Sequence, residues 1–113
     1  MPIAHEQASA REFLALLYGD TYFPQNLVDK GRDILVRLCE RIETEPPADL
    51  DAFYTLTHAA TEEFNALQEE FWAAGSEIET MARDEIAKDF WFIAQTYGFE
   101  GADLEEVVGP RDW

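Results

Sequence analysis

Apolar residues recur at helical spacing through most of this chain. Between positions 50 and 71, Leu50, Phe53, Thr57, Ala60, Phe64, Leu67 and Phe71 alternate steps of three and four. That is the a/d seam of a helix packed on other helices, and it predicts a helix over about 49–74. Ala52, Ala59, Ala66 and Ala73 repeat every seven residues on one flank of the seam, where small side chains let a neighbouring helix come close. Upstream, Leu27, Gly31, Ile34, Leu38 and Ile42 form a second stripe, widened by Val28, Leu35 and Cys39, and predict a helix over 25–44. An interior glycine costs about 1 kcal/mol relative to alanine, so close helix approach is the motive for Gly31. Pro24 suits the first helical position, and Pro46-Pro47 stop the helix. Downstream, Ile78, Ala82, Ile86, Phe90, Ile93 and Tyr97 predict a helix over about 77–97. A Ser76/Glu79 capping box opens it, and Gly75 and Gly98 close the last two long helices.

The ends carry shorter patterns. Residues 9–18, with Phe13, Leu14, Leu16 and Leu17, read as one short helix capped by Ser9, and 102–108 as another. The turn residues of GDTYFP (19–24) break the chain between helices, with Tyr22 and Phe23 placed to plug the end of the core. Trp113 is expected to dock on the body rather than stand free. No segment shows the period-two alternation of a strand. The expected fold is all-α: a compact antiparallel bundle of three long helices (about 25–44, 49–74 and 77–97) with short N- and C-terminal helices, forming one domain over 1–113.

Charge narrows the function classes. The chain of 113 residues carries a net charge of −16. Residues 1–42 hold five bases against six acids, whereas 43–108 hold two bases against seventeen acids. Direct nucleic-acid binding needs clustered Lys and Arg, so this balance argues against it and favours a basic protein partner or a cation. No apolar run approaches a membrane span, and MPIAHEQASAREF lacks the form of a signal peptide. The single cysteine, Cys39, can form no internal disulfide. The expected location is cytoplasmic.

Candidate chemistry concentrates in THAATEEFNALQEEF (57–71). On a helical wheel His58, Glu62, Asn65 and Glu69 fall opposite the seam, and Glu63 and Glu70 flank it. His58 and Glu62 have metal-ligand spacing, but two ligands fall short of a structural site. All-helical nucleotide pyrophosphohydrolases hold magnesium between carboxylates of adjacent helices. Glu62, Glu63, Glu85 and Asp89 are the matching set here. The second pair is four apart instead of three, and Ala66 stands where a further Glu is wanted. Cys39 lies on an inner flank where packing is its usual role. The aromatic run DFWFIAQTYGF (89–99) reads as core. Trp72, close to Glu69, could anchor an interface or cover a helix end.

The strings YGDTYFPQNLVDKGRDIL (18–35), THAATEEFN (57–65) and RDW (111–113) resemble an uncharacterised bacterial domain-of-unknown-function family of short acidic helical proteins. The resemblance spans nearly the whole chain and implies a single helical domain. It supplies no activity, cofactor or catalytic residue.

The leading functional expectation is a small interaction module, antitoxin-like or immunity-like, that meets a basic partner through Glu62, Glu63, Glu69, Glu70 and Trp72. No cofactor is expected. A magnesium-dependent pyrophosphohydrolase and a homo-oligomer built on the alanine stripe are the alternatives. The first requires the carboxylates of the last two long helices to converge.

Overall fold

The computed structural model describes residues 3–113, among which there is no strand. Six helices follow in order: α1 Glu6–Ala10, α2 Ala15–Tyr18, α3 Gln25–Thr44, α4 Leu50–Ala73, α5 Thr80–Thr96 and α6 Leu104–Val107. The all-α expectation holds. At 1.5 Å per residue α4 runs about 36 Å, most of the molecule's 41 Å long axis. It is the rail against which the rest is placed.

Both stripes face inward as the periodicity requires. Phe53, Thr57, Ala60, Phe64, Leu67 and Phe71 of α4 are buried, as are Leu27, Val28, Ile34, Leu35, Leu38, Cys39 and Ile42 of α3. Leu50, at the helix entrance, is only partly covered. Gly31 is a contact point. A Cβ there would lie 2.9 Å from Leu14 Cδ1 and 3.1 Å from Phe64 Cε1. The glycine therefore makes room for the N-terminal segment as well as for α4.

Helix ends account for most departures from the expected boundaries. Gly75 (φ 79°) and Gly98 (φ 87°) terminate α4 and α5 in the left-handed conformation. The Ser76 N–H donates to Phe71 O and the Gly75 N–H to Trp72 O, so the chain after α4 closes that helix's last carbonyls. Only the Ser76 backbone serves to end α4; its hydroxyl is buried without a hydrogen-bond partner among the described residues and does not cap α5. The expected capping box is absent, and α5 begins at Thr80 behind Glu79. Asp49 caps α4, its side chain accepting from the Ala52 N–H. Among the described residues no helix is long and apolar enough to cross a membrane.

The N-terminal helix is split. Residues 11–14 leave helical geometry, with Leu14 at φ 58°, and the helix over 9–18 becomes α1 and α2. Ser9 lies inside α1 instead of capping a helix. Leucine pays for a left-handed backbone with steric strain, and the compensation is tertiary. The Leu14 N–H donates to Asp89 Oδ2 at 2.7 Å, and the Leu14 side chain is buried at the Gly31 notch.

Candidate functional site

Helix α4 presents three polar rows, and the structure treats them differently. Glu63 and Glu70 face α3. Arg37 donates to Glu63 at 2.6 Å, and Lys30 pairs with Glu70. The two bases are seven residues apart, as are the two acids, and the antiparallel helices put them in register. These pairs are about half exposed, so each contributes roughly 0–1 kcal/mol. Two of the four glutamates assigned to a basic partner are thus already matched within the chain. A hollow of about 490 Å³ opens beside them, floored by Ile34, Leu38, Leu56 and Ala60. Arg37 and Arg41 line it with Glu63 and Glu45, and these mixed signs select for no charge class.

The second row runs His58, Thr61, Asn65, Gln68. Of these, His58 and Asn65 were expected to face outward, but the C-terminal segment covers the row. His58 Nε2 lies 2.6 Å from Glu106 O. Asn65 Nδ2 donates to Pro110 O at 3.0 Å, and Asn65 Oδ1 accepts from the Asp112 N–H at 2.7 Å. Gln68 Nε2 donates to Asp112 O at 3.3 Å. Val107, Val108 and Trp113 insert beside this row and are buried, and Trp113 packs edge-on against Phe64. Docking of the terminal tryptophan agrees with the sequence. The outward placement of His58 and Asn65 is corrected: both are half-buried because they bind main chain.

The third row remains open. Glu62 and Glu69 are exposed and make no side-chain hydrogen bond or ion pair with the described residues. Trp72, 53% exposed, stands one turn beyond Gln68. Of the residues assigned to a partner from sequence, Glu62, Glu69 and Trp72 are therefore the ones left free.

Glu85 and Asp89 serve a different purpose. They are 5% and 1% exposed, and both clasp the N-terminal segment. Asp89 accepts from the Leu14 N–H and from Arg11 at 2.9 Å, and Glu85 accepts from the Leu16 N–H at 2.9 Å. Lys88 lies 3.3 Å from Glu85, and the Arg11 guanidinium lies over the Phe92 ring. Burial raises the Asp89 carboxyl above the usual range, more than the Leu14 N–H and Arg11 lower it. The structure does not bring Glu62 and Glu63 together with Glu85 and Asp89. Among the described residues no group of three or more His, Cys, Asp and Glu side chains is placed to hold a metal ion.

A third carboxylate repeats the clasp. Glu43 accepts from the Ala4 N–H at 2.7 Å, the His5 N–H at 3.1 Å and the Tyr97 hydroxyl. Burial alone would raise this carboxyl, but those bonds together with the nearby His5 outweigh it and hold it low. Cys39, fully buried beside Tyr97, has its thiol pushed up to about 12 by burial, which suits packing and not nucleophilic chemistry. Sequence reasoning missed this clasping role for Glu43, Glu85 and Asp89. The acceptors lie on α3 and α5, and their donors are backbone amides that carry no sequence signature.

A family model matches residues 7–113 of the chain: a family of unknown function, DUF5713. The chain belongs to that family. Searches of curated proteins and of solved structures find no match.

Proposed function

We propose, from geometry alone because the family carries no activity with it, that this protein is an interaction module presenting the open row of α4 to a basic protein partner. An antitoxin-like or immunity-like role is one concrete form, in which carboxylates fill a basic cleft that would otherwise take phosphates. The observation that carries this reading is the division of labour on α4. Glu63 and Glu70 are matched by Arg37 and Lys30, while Glu62 and Glu69 are exposed and unmatched beside the exposed Trp72. A module that needed acids only for solubility would not require a large indole in the same stretch, since exposed aromatics carry an aggregation cost.

The division also supplies a controlled experiment. The native protein and two double variants, Glu62→Gln/Glu69→Gln and Glu63→Gln/Glu70→Gln, have the same net-charge change between variants. Each is used to capture partners from a native extract, and bound proteins are quantified. The reading expects one basic protein to be lost with the first variant and retained with the second. Equal loss from both, tracking net charge alone, would contradict it. No observation favours the magnesium-dependent alternative, because Glu85 and Asp89 are buried against the N-terminal segment.

A further inference from the structure

We infer that Trp72 anchors the partner, and that the occupant is an arginine- or lysine-bearing stretch of another protein laid along α4 in line with the chain's own C-terminal segment. This rests on the reading of the protein as an acidic interaction module, and adds where and by what chemistry the partner is held.

The row His58, Thr61, Asn65, Gln68, Trp72 keeps steps of three and four along one side of α4. Its first four members meet main-chain atoms of residues 106–112: Glu106 O, Val107 O, Pro110 O, and the Asp112 N–H and O. This side of α4 is therefore a surface that already binds a polypeptide through its backbone. The bound segment reaches Gln68, and the next position, Trp72, is uncovered. A partner segment lying there continues an arrangement the fold uses once already.

The surroundings specify that segment's charge. Glu69 precedes Trp72, and Glu77 and Glu79 follow it in the connection to α5. All three are exposed and have no ion pair among the described residues. The bases along this end are occupied or withdrawn. Lys30 is paired with Glu70, Arg111 lies over the Trp113 ring, and Arg83 is half-buried. A second exposed aromatic lies at the same end. The Phe23–Phe71 contact brings the 20–24 turn against the last turn of α4, and Tyr22 remains 42% exposed there. A guanidinium can stack on an indole face and bond a carboxylate at once. Phosphate-bearing partners are repelled by the same carboxylates.

The test uses the full chain carrying Trp91→Phe, so that Trp72 is the exposed indole beside buried Trp113. The probe is a labelled hexa-arginine peptide, read by tryptophan emission and by anisotropy at about 0.15 M salt, where longer-range attraction is largely screened. Saturable binding with a change in Trp72 emission is expected. Trp72→Ala should weaken it about fivefold, the scale of an exposed cation–π contact. Trp72→Gln, which keeps more side-chain bulk, should behave like the alanine variant, and thermal unfolding confirms that both are folded. Glu62→Gln/Glu69→Gln should also weaken binding. If affinity is the same with and without the Trp72 indole while the Glu62/Glu69 dependence persists, the anchor is overturned and the acidic module stands. If the folded protein shows no saturable binding at all, both are overturned.

Discussion

Replacing Asp89 with alanine should cost the fold about 3 kcal/mol, and the figure follows from its neighbours. Asp89 is 1% exposed and accepts three hydrogen bonds, from the Leu14 N–H at 2.7 Å and from Arg11 Nη2 at 2.9 Å and Nε at 3.2 Å. Its loss leaves the buried Leu14 amide without an acceptor, at a cost of about 1–3 kcal/mol. It also breaks a buried ion pair, for which losses of about 3–5 kcal/mol are typical. Arg11 is 30% exposed and can turn to water, which argues for the lower end. The left-handed Leu14 backbone loses the bond that compensates its strain, so residues 11–16 should loosen first. Asp89→Asn keeps one acceptor oxygen and should cost about half as much. Urea unfolding followed by circular dichroism is the assay. The midpoint should fall with little change in slope, and for a chain of this size Tm should drop by about 12 °C for the alanine variant. Hydrogen exchange should rise at Leu14 and Leu16. An alanine variant within 0.5 kcal/mol of the native protein, with unchanged exchange at Leu14, would refute the clasp.

Three further outcomes follow from the same geometry. Gly31→Ala gains about 1 kcal/mol of helix propensity but drives a Cβ to 2.9 Å from Leu14 and 3.1 Å from Phe64. Overpacking costs about 1–3 kcal/mol, so the net should be a modest destabilisation by urea titration, and a gain in stability would show the notch to be loose. Asn65→Ala removes the bonds to Pro110 O and the Asp112 N–H. It should cost about 1–2 kcal/mol and speed exchange at Asp112 well above that in α3. Glu43 is held below its ordinary value of 4.5, so its clasp contributes stability above that pH and loses it as pH falls through the folded value. The stability gap between native protein and Glu43→Gln should therefore shrink below about pH 4.5. Asp89, raised from 3.8, has the opposite sign: its contribution becomes less favourable as pH rises from that value through the raised one.

The long helices were legible because burial enforces period. Phe53, Phe64, Leu67 and Phe71 had to share a face, and they do. Polar periodicity was harder to read. His58 and Asn65 look solvent-facing, yet together with Gln68 they repeat at seam spacing because they bind the main chain of 106–112. The spacing was present in the sequence, but its meaning depended on where the C-terminal segment lay. The register of Lys30 and Arg37 against Glu70 and Glu63 was readable once the helices were taken as antiparallel. The break at Leu14 was not. Nothing in SAREFLALLY stops a helix, and the cause is two carboxylates about seventy residues away. The same two carboxylates resembled half of a magnesium motif because spacing alone does not distinguish a ligand from a clasp.

The central claim is that the open row of α4 meets a basic protein. Cross-linking from a position flanking that row tests it most directly. A benzophenone side chain placed at the exposed Ala66, between Glu62 and Glu69, should form an adduct with one basic protein in native extract. The same group at the exposed Trp91 of α5 should not capture it. Adducts from position 91 that match those from position 66, or none from position 66, would contradict the account.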